Sequence, residues 1–565
     1  MKFFIRFTFF VVITLIIAAP AFSAYPTPEY ARNGMVVSAS ELASQAGVGI
    51  LQAGGNAIDA AVATAFALGV VEQYSSGIGG GNFIVIYLAD MDSAITIDGR
   101  EKAPLKAHRD MYIDKQTGEI IPGLSTTGIL AGGVPGAVAS LAMALERYGS
   151  GNISLAEALE PGIRLAEEGF PVNLTYRQHL EYAAPKLYQF PENRRIYFKQ
   201  DTLVWDIGDT LKQPDLAWTY RRIADYGAED FYRGEIARRI VDFMKRENGL
   251  IAAKDLERYQ AVVREPVRGT YRGYEIISMP PPSSGGIHLV QMLNILEGYS
   301  LAQMGHNSSR YLHTLAEAMK PAFADRAKYL GDMDFVKVPV DTLISKGYAE
   351  ILRSRISPYQ SSSVEAGEFT LEEGHTTHLS VMDKQGNMCA ITATVNTTYG
   401  SGMTIAGTGI ILNNEMDDFS AAPGKPNFFG LVGAEANAIA PEKRPLSSMT
   451  PTIVLQEGQP LMVLGSPGGP RIITAALQTI LNKIDFGMDI QAAVSAPRIH
   501  HQWKPDMIFM EAEIPADVVD NLVAKGHRVY IGGVGATVEA IYIDREAGLI
   551  FGGADPRSEG AAVGY

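Results

Sequence analysis

A predicted strand–turn–strand unit that follows an irregular segment constrains this fold more than any other feature. Residues 376–382 and 388–395 have strand patterns, and residues 383–387 have the composition of a turn. The preceding residues 354–374 are rich in Ser, Glu and Gly, as expected of an exposed loop. A turn centred on Gln385 would place Thr376 opposite Thr394, with Cβ atoms about 5 Å apart on one sheet face.

Two facing hydroxyls allow two interpretations. A threonine at the first position of a strand, held by a second hydroxyl, suits a nucleophile kept in one rotamer. Threonine pairs are also common in strands, where most of them are structural. The pair alone therefore leaves both interpretations open.

The amino-acid composition and net charge restrict the functions that this chain can have. The chain has 565 residues, of which 47% are apolar and 19% charged, as in a large globular protein. A net charge of −14 makes nucleic acid an unexpected partner and means that an acidic ligand needs local basic groups. The single cysteine, Cys389, lies in an apolar run, which predicts a buried thiol and excludes an intrachain disulfide.

The N-terminus has the pattern of a secretory signal peptide. Lys2 and Arg6 precede an apolar stretch, which Pro20 interrupts before the small residues around Ser23. The stretch is shorter than the roughly 20 residues that span a bilayer. We expect residues 1–23 to be removed, leaving a periplasmic or secreted protein with no stable membrane anchor.

Two patterns point away from cofactors. The glycine run at 76–81 follows a predicted helix at 54–71 and precedes a strand at 82–88, the reverse of the order in a dinucleotide fingerprint. His375 and His378 are spaced like metal ligands but lack a helical context. We expect no metal and no cofactor.

Short motifs along nearly the whole chain resemble those of one enzyme family. In chain order they lie at residues 98–101, 280–286, 324–326, 376–383, 396–398, 413–419, 444–449, 465–469 and 555–557. Together they are similar to the gamma-glutamyltransferases, which are N-terminal-nucleophile hydrolases. The resemblance implies an α+β fold, a four-layer αββα sandwich of the N-terminal-nucleophile hydrolase type.

The resemblance also implies maturation by self-cleavage between His375 and Thr376. It implies a large subunit, residues 24–375, and a small subunit, residues 376–565, that together form one αββα unit. Thr376 becomes the N-terminal nucleophile, and its α-amino group, with an ordinary pKa of about 8, suits a general base.

The remaining roles also follow from the resemblance. Thr394 orients the nucleophile, while backbone N–H groups of Gly468 and Gly469 stabilise the oxyanion. The α-carboxylate of a gamma-glutamyl group is bound by Arg100, Ser447 and Ser448. Its α-ammonium is bound by Asn396, Glu415 and Asp418. Phe429 lies in a lid loop at a position where many bacterial members have Tyr.

Three functions are compatible with parts of this pattern. The first is transfer of gamma-glutamyl groups from glutathione and related compounds to water, amino acids or dipeptides. The second is an exported amide acylase for glutaryl-type side chains, which the acidic residues at 415 and 418 disfavour because a glutaryl group would leave them unpaired. The third, a binding protein that never matures, is disfavoured by the intact threonine pair and the paired glycines.

Overall fold

The computed structural model describes residues 25–200, 203–362 and 376–565. This part of the chain contains two antiparallel seven-stranded sheets. Their strands are β1 (Glu29–Ala31), β2 (Gly34–Ser38), β3 (Gly81–Leu88), β4 (Ser93–Gly99), β5 (Val262–Arg264), β6 (Val267–Tyr271), β7 (Tyr274–Ser278), β8 (Thr377–Asp383), β9 (Met388–Thr394), β10 (Thr452–Gln456), β11 (Gln459–Gly465), β12 (Glu539–Asp544), β13 (Leu549–Ala554) and β14 (Ala561–Gly564).

The predicted hairpin is β8–β9, in the middle of the first sheet, whose strand order is β14-β2-β8-β9-β3-β4-β5. The second sheet has the order β1-β13-β12-β11-β10-β7-β6. In the hairpin, Thr377 pairs with Ala393 and Met382 with Met388. This register confirms the turn centred on Gln385, with Thr376 next to Thr394.

Helices cover the outer faces of both sheets. The apolar cluster on the outer side of the first sheet contains residues of α1 (Glu41–Gln52), α2 (Ala57–Val71), α3 (Ala137–Tyr148), α4 (Leu155–Glu168), α5 (Leu174–Leu187), α6 (Pro191–Tyr197), α7 (Pro214–Tyr226), α8 (Glu229–Arg233), α9 (Glu235–Arg246) and α10 (Ala253–Arg258). The cluster on the outer side of the second sheet contains residues of α11 (Gly285–Leu296), α12 (Leu301–Met304), α13 (Ser309–Tyr329), α14 (Val340–Leu343), α15 (Lys346–Arg353), α16 (Arg471–Ile484), α17 (Ile490–Ser495) and α18 (Ala516–Ala524).

The two sheets stack directly on each other. Phe83 and Met388 of the first sheet and Val463 and Ile541 of the second belong to one buried apolar cluster. Separate clusters join each outer face to its helices. The fold is therefore the expected four-layer αββα sandwich.

Helix α2 shows how local sequence sets these layers. Its predicted start at Gly54 is wrong: the helix begins at Ala57, because the Asn56 side chain accepts the N–H groups of Ile58 and Asp59 and caps it. Its apolar residues surround the whole axis, as in a helix buried between other elements. Cys389 is fully buried, as predicted.

Among the described residues, no helix has both the length and the apolarity needed to cross a membrane. The predicted signal peptide, residues 1–23, lies outside the described residues, and so does His375.

Candidate active site

Thr376 immediately precedes β8, and its side chain approaches that of the last residue of β9. The Thr376 hydroxyl donates to Oγ1 of Thr394 at 3.4 Å. Thr394 Oγ1 also accepts the backbone N–H of Asn396 at 2.7 Å, which fixes its position. Asn396 has a φ of +80°, a conformation that Asn tolerates better than most residues. The hairpin and the turn after it thus hold the two hydroxyls together.

Thr376 lines two cavities. A smaller one, of about 20 Å³, is also lined by Arg100, Asp418 and Gly469. A larger one, of about 570 Å³, is also lined by Gly468. The threonine therefore has a compact polar chamber on one side and a wide cleft on the other.

Gly468 and Gly469 lie between β11 and the first turn of α16, with φ angles of +125° and +58°. A Cβ atom at Gly468 would lie 2.6 Å from the carbonyl oxygen of Gly535, and one at Gly469 would lie 3.0 Å from the Phe429 ring. Both positions therefore require glycine. The N-terminal end of a helix also favours negative charge nearby.

Arg100 is buried in the wall of the smaller cavity. Its guanidinium lies 2.5 Å from Asp418 and 2.8 Å from Glu415, and its Nε donates to the Pro445 carbonyl at 3.2 Å. Burial opposes the charged form, but the two carboxylates outweigh it, and the pKa of Arg100 is raised. The residue expected to bind a carboxylate and two of those expected to bind an ammonium are thus ion-paired to one another.

The carboxylates around Arg100 are not equivalent. Glu415 is fully buried, and burial raises its pKa well above the ordinary value although Arg100 lowers it. Burial likewise raises the pKa of Glu101, which lies 3.7 Å from Arg100. Asp418 is 13% exposed and faces the cavity. Asp418 is therefore the carboxylate best placed to meet a charged ligand.

The predicted serines line the same cavity, beside Arg326, for which no role was predicted. Ser447 Oγ accepts the N–H of Met449 at 3.2 Å, and Ser448 Oγ accepts from Arg326 at 3.3 Å. Arg326 is buried, and burial lowers its pKa to about 10. Arg326 belongs to the family-like motif at residues 324–326. That motif could have identified it as a site residue from the sequence.

Phe429 closes the small cavity from above. Its backbone carbonyl accepts from Gln502 Nε2 at 3.2 Å, and the N–H of Phe428 donates to Asp417 at 3.0 Å. Asn427 donates to Asp418 at 3.3 Å, which ties the loop to the cavity wall. The Phe429 ring lies over Gly469, and its role as a lid stays a prediction.

The family model for gamma-glutamyltranspeptidase matches residues 43–565. The chain belongs to the gamma-glutamyltranspeptidase family, and it is an enzyme. All the predicted site residues except His375 fall within the described residues, and each of them lines one of the two cavities that meet at Thr376.

Relatives of this family member carry two kinds of name. Glutathione hydrolase proenzyme of Escherichia coli (strain K12) is 44% identical over 543 residues, covering 95% of this chain and 93% of that protein. Acylase ACY 1 proenzyme of Pseudomonas sp. (strain V22) is 42% identical over 515 residues, covering 90% and 89%. The crystal structure of cephalosporin acylase from Bacillus halodurans has a TM-score of 0.85 at 31% identity and covers 97% of this chain and 99% of that one.

Proposed function

We propose that this enzyme cleaves itself between His375 and Thr376 and then hydrolyses and transfers gamma-glutamyl groups, with glutathione as a donor. The products of self-cleavage are residues 24–375 and 376–565, and residues 1–23 are removed on export to the periplasm or medium. The names of both relatives contain the word proenzyme, which supports processing.

Thr376 acts twice in this scheme. In the precursor its hydroxyl adds to the His375 carbonyl, the peptide C–N bond breaks, and water hydrolyses the resulting ester. In the mature enzyme the hydroxyl adds to the gamma-carbonyl of the donor while the new α-amino group takes its proton. Gly468 and Gly469 supply N–H groups to the oxyanion, and the leaving amine departs with the proton.

The resulting gamma-glutamyl ester is resolved by a second nucleophile. Water gives glutamate, and the amine of an amino acid or dipeptide gives a new gamma-glutamyl amide. The wide cleft beside Thr376 suits the leaving amine and the acceptor, since it is the larger and more open of the two cavities.

One observation carries the donor assignment: Arg100 and Asp418 form an ion pair in the same small cavity as Thr376. An amino-acid head group bears one charge of each sign. Its carboxylate can replace Asp418 on Arg100, with support from Ser447 and Ser448, and its ammonium can take the place of Arg100 beside Asp418. Glu415 and Asn396 complete the ammonium side.

The acylase relative supports a second candidate function, cleavage of a glutaryl-type donor. A glutaryl group has the carboxylate but no ammonium, so binding it would leave Asp418 without a cation once Arg100 turns to the ligand. An uncompensated carboxylate in a buried site is unfavourable. The site therefore favours the gamma-glutamyl donor.

The test compares gamma-glutamyl and glutaryl p-nitroanilides on the purified, processed enzyme, with and without a dipeptide acceptor. We expect kcat/KM for the gamma-glutamyl compound to be higher by about tenfold or more, since a charge-assisted contact contributes about 1.5–3 kcal/mol. The dipeptide should increase the rate and yield a gamma-glutamyl dipeptide. Equal or reversed preference would support the acylase, and a Thr376→Ala chain that turned over either compound would contradict the mechanism.

A further inference from the structure

Three side chains with metal-binding groups meet outside the active site. His313 and Glu317 lie four residues apart on α13, so they project from the same face of the helix. His527 follows α18 and packs against them. One ligand atom from each lies within 4.8 Å of the others, and all three side chains are buried.

The hydrogen bonds of His313 prepare it as a ligand. Its Nε2 donates to the Ser357 carbonyl at 2.7 Å, so in the neutral ring the Nδ1 lone pair faces His527 Nε2, also at 2.7 Å. An imidazole whose outer N–H is bound to a carbonyl is the usual arrangement of a metal-ligating histidine.

Glu317 supplies the anionic group. Its carboxylate pairs with Lys320 at 2.8 Å and accepts from the N–H of Ser362 at 3.1 Å and the hydroxyl of Ser361 at 3.4 Å. Lys320 also donates to the Ser361 hydroxyl and the Ser362 carbonyl, and it lies 3.4 Å from Asp506. Lys320 therefore keeps acceptors when Glu317 turns toward a cation.

From this geometry we infer that His313, Glu317 and His527 bind one divalent transition-metal ion of the Zn²⁺ type. Two imidazole nitrogens and one carboxylate oxygen are ordinary Zn²⁺ ligands, and water completes a tetrahedron. Ligand atoms on such an ion lie about 3.3 Å apart, given bonds of about 2.0 Å. The contact between His313 and His527 lengthens on binding, while the Glu317 carboxylate moves closer.

The site joins regions on either side of the proposed cleavage point. His313 and Glu317 precede it in the chain, and His527 follows it. If cleavage occurs as proposed, the ion links the large and small pieces; the binding itself needs no cleavage. No local motif predicts this cluster, because its two histidines are 214 residues apart in the chain.

The test is a titration of the purified full-length protein, stripped with a chelator, with Zn²⁺ by calorimetry and with Co²⁺ by absorption. We expect one ion per chain and visible Co²⁺ bands typical of a four-coordinate site. His313→Ala, Glu317→Gln and His527→Gln should each weaken binding by at least about tenfold. His306→Ala, which removes a histidine near the same helix but outside the cluster, should bind as the wild type does.

Two further measurements keep the outcome decisive. Zn²⁺ should raise the Tm of the wild type and leave that of His527→Gln unchanged. A Thr376→Ala chain should bind one ion whether or not it is cleaved, which separates this site from the proposed processing. Wild-type protein that binds no Zn²⁺ would overturn the inference, and this result does not depend on whether the variants fold. Folded variants that bind Zn²⁺ as tightly as the wild type would also overturn it.

Discussion

Arg100 and Asp418 are 318 positions apart in the chain and form a buried ion pair with 2.5 Å between the guanidinium and the carboxylate. The pair lies in the cavity that Thr376 lines, and Glu415 adds a second carboxylate at 2.8 Å from Arg100. Removing the cation altogether would leave buried carboxylates uncompensated, which destabilises a fold strongly. The useful substitutions at this pair therefore keep its size or charge.

Arg100→Lys should weaken donor binding and spare the fold. Lysine keeps the positive charge but loses the planar fork that grips a carboxylate. The loss of about 1.5–3 kcal/mol corresponds to a KM for a gamma-glutamyl anilide that is roughly ten- to more than a hundredfold higher. Arg109→Lys, at a half-exposed arginine, is the matched control. An unchanged KM in Arg100→Lys would remove Arg100 from the binding site.

Asp418→Asn should act on one class of donor. Asparagine has the same shape but no charge for the substrate ammonium, so kcat/KM for the gamma-glutamyl anilide should fall at least about tenfold. A glutaryl anilide has no ammonium, and Asp418→Asn would leave no uncompensated carboxylate beside it, so its kcat/KM should stay the same or rise. Measurement of both rates on the same preparation provides its own control. Equal losses for the two compounds would mean that Asp418 is structural.

Phe429→Tyr should change the fate of the acyl-enzyme. A phenol added to the ring above Gly469 can form one hydrogen bond with the site, which contributes about 0.5–1.5 kcal/mol and changes the closed-to-open ratio by at most about tenfold. A more firmly closed lid should slow hydrolysis relative to transfer. Phe428→Tyr, on the same loop, is the control. An equal or lower transfer-to-hydrolysis ratio in Phe429→Tyr would refute the latch.

Glu539→Gln should alter the pH dependence of stability. Burial, and then the charges of Asp555 and Glu72, raise the pKa of Glu539 well above its ordinary value. The stabilisation from its protonated form is complete below the unfolded-state pKa and is lost as the pH rises through the folded-state pKa. The Tm advantage of Glu539→Gln over wild type should therefore be larger at pH 8 than at pH 5.

Glu513→Gln, at an exposed glutamate, serves as the reference for that experiment. Its Tm should follow the wild-type curve at both pH values. Parallel curves for wild type and Glu539→Gln would mean that Glu539 ionises in the folded state at its ordinary pKa.

The hairpin was the part of the site that local sequence could predict. The strand pattern on both sides of Gln385 determines which residues face each other, and the observed pairing of Thr377 with Ala393 follows from it. The αββα layers followed from family resemblance, since strands of one sheet come from distant parts of the chain. Burial of Cys389 followed from its apolar neighbours.

Local sequence patterns could not predict the polar contacts between residues that are distant in the chain. The family resemblance assigned Arg100 and Asp418 to opposite ends of a ligand, but no local pattern predicted that they form an ion pair. Arg326 received no role because its neighbour Ser448 is 122 positions away. Such contacts depend on how the sheets and loops pack, and no periodicity encodes them.

The identity of the nucleophile is tested most directly by N-terminal sequencing and intact-mass measurement of the purified protein. We expect two pieces, the smaller of which begins Thr-Thr-His-Leu-Ser and has the mass of residues 376–565. Thr376→Ala should remain a single chain, because it has no hydroxyl to attack the His375 carbonyl. A smaller piece with another first residue, or a Thr376→Ala chain that still separates into two pieces, would contradict the assignment of Thr376.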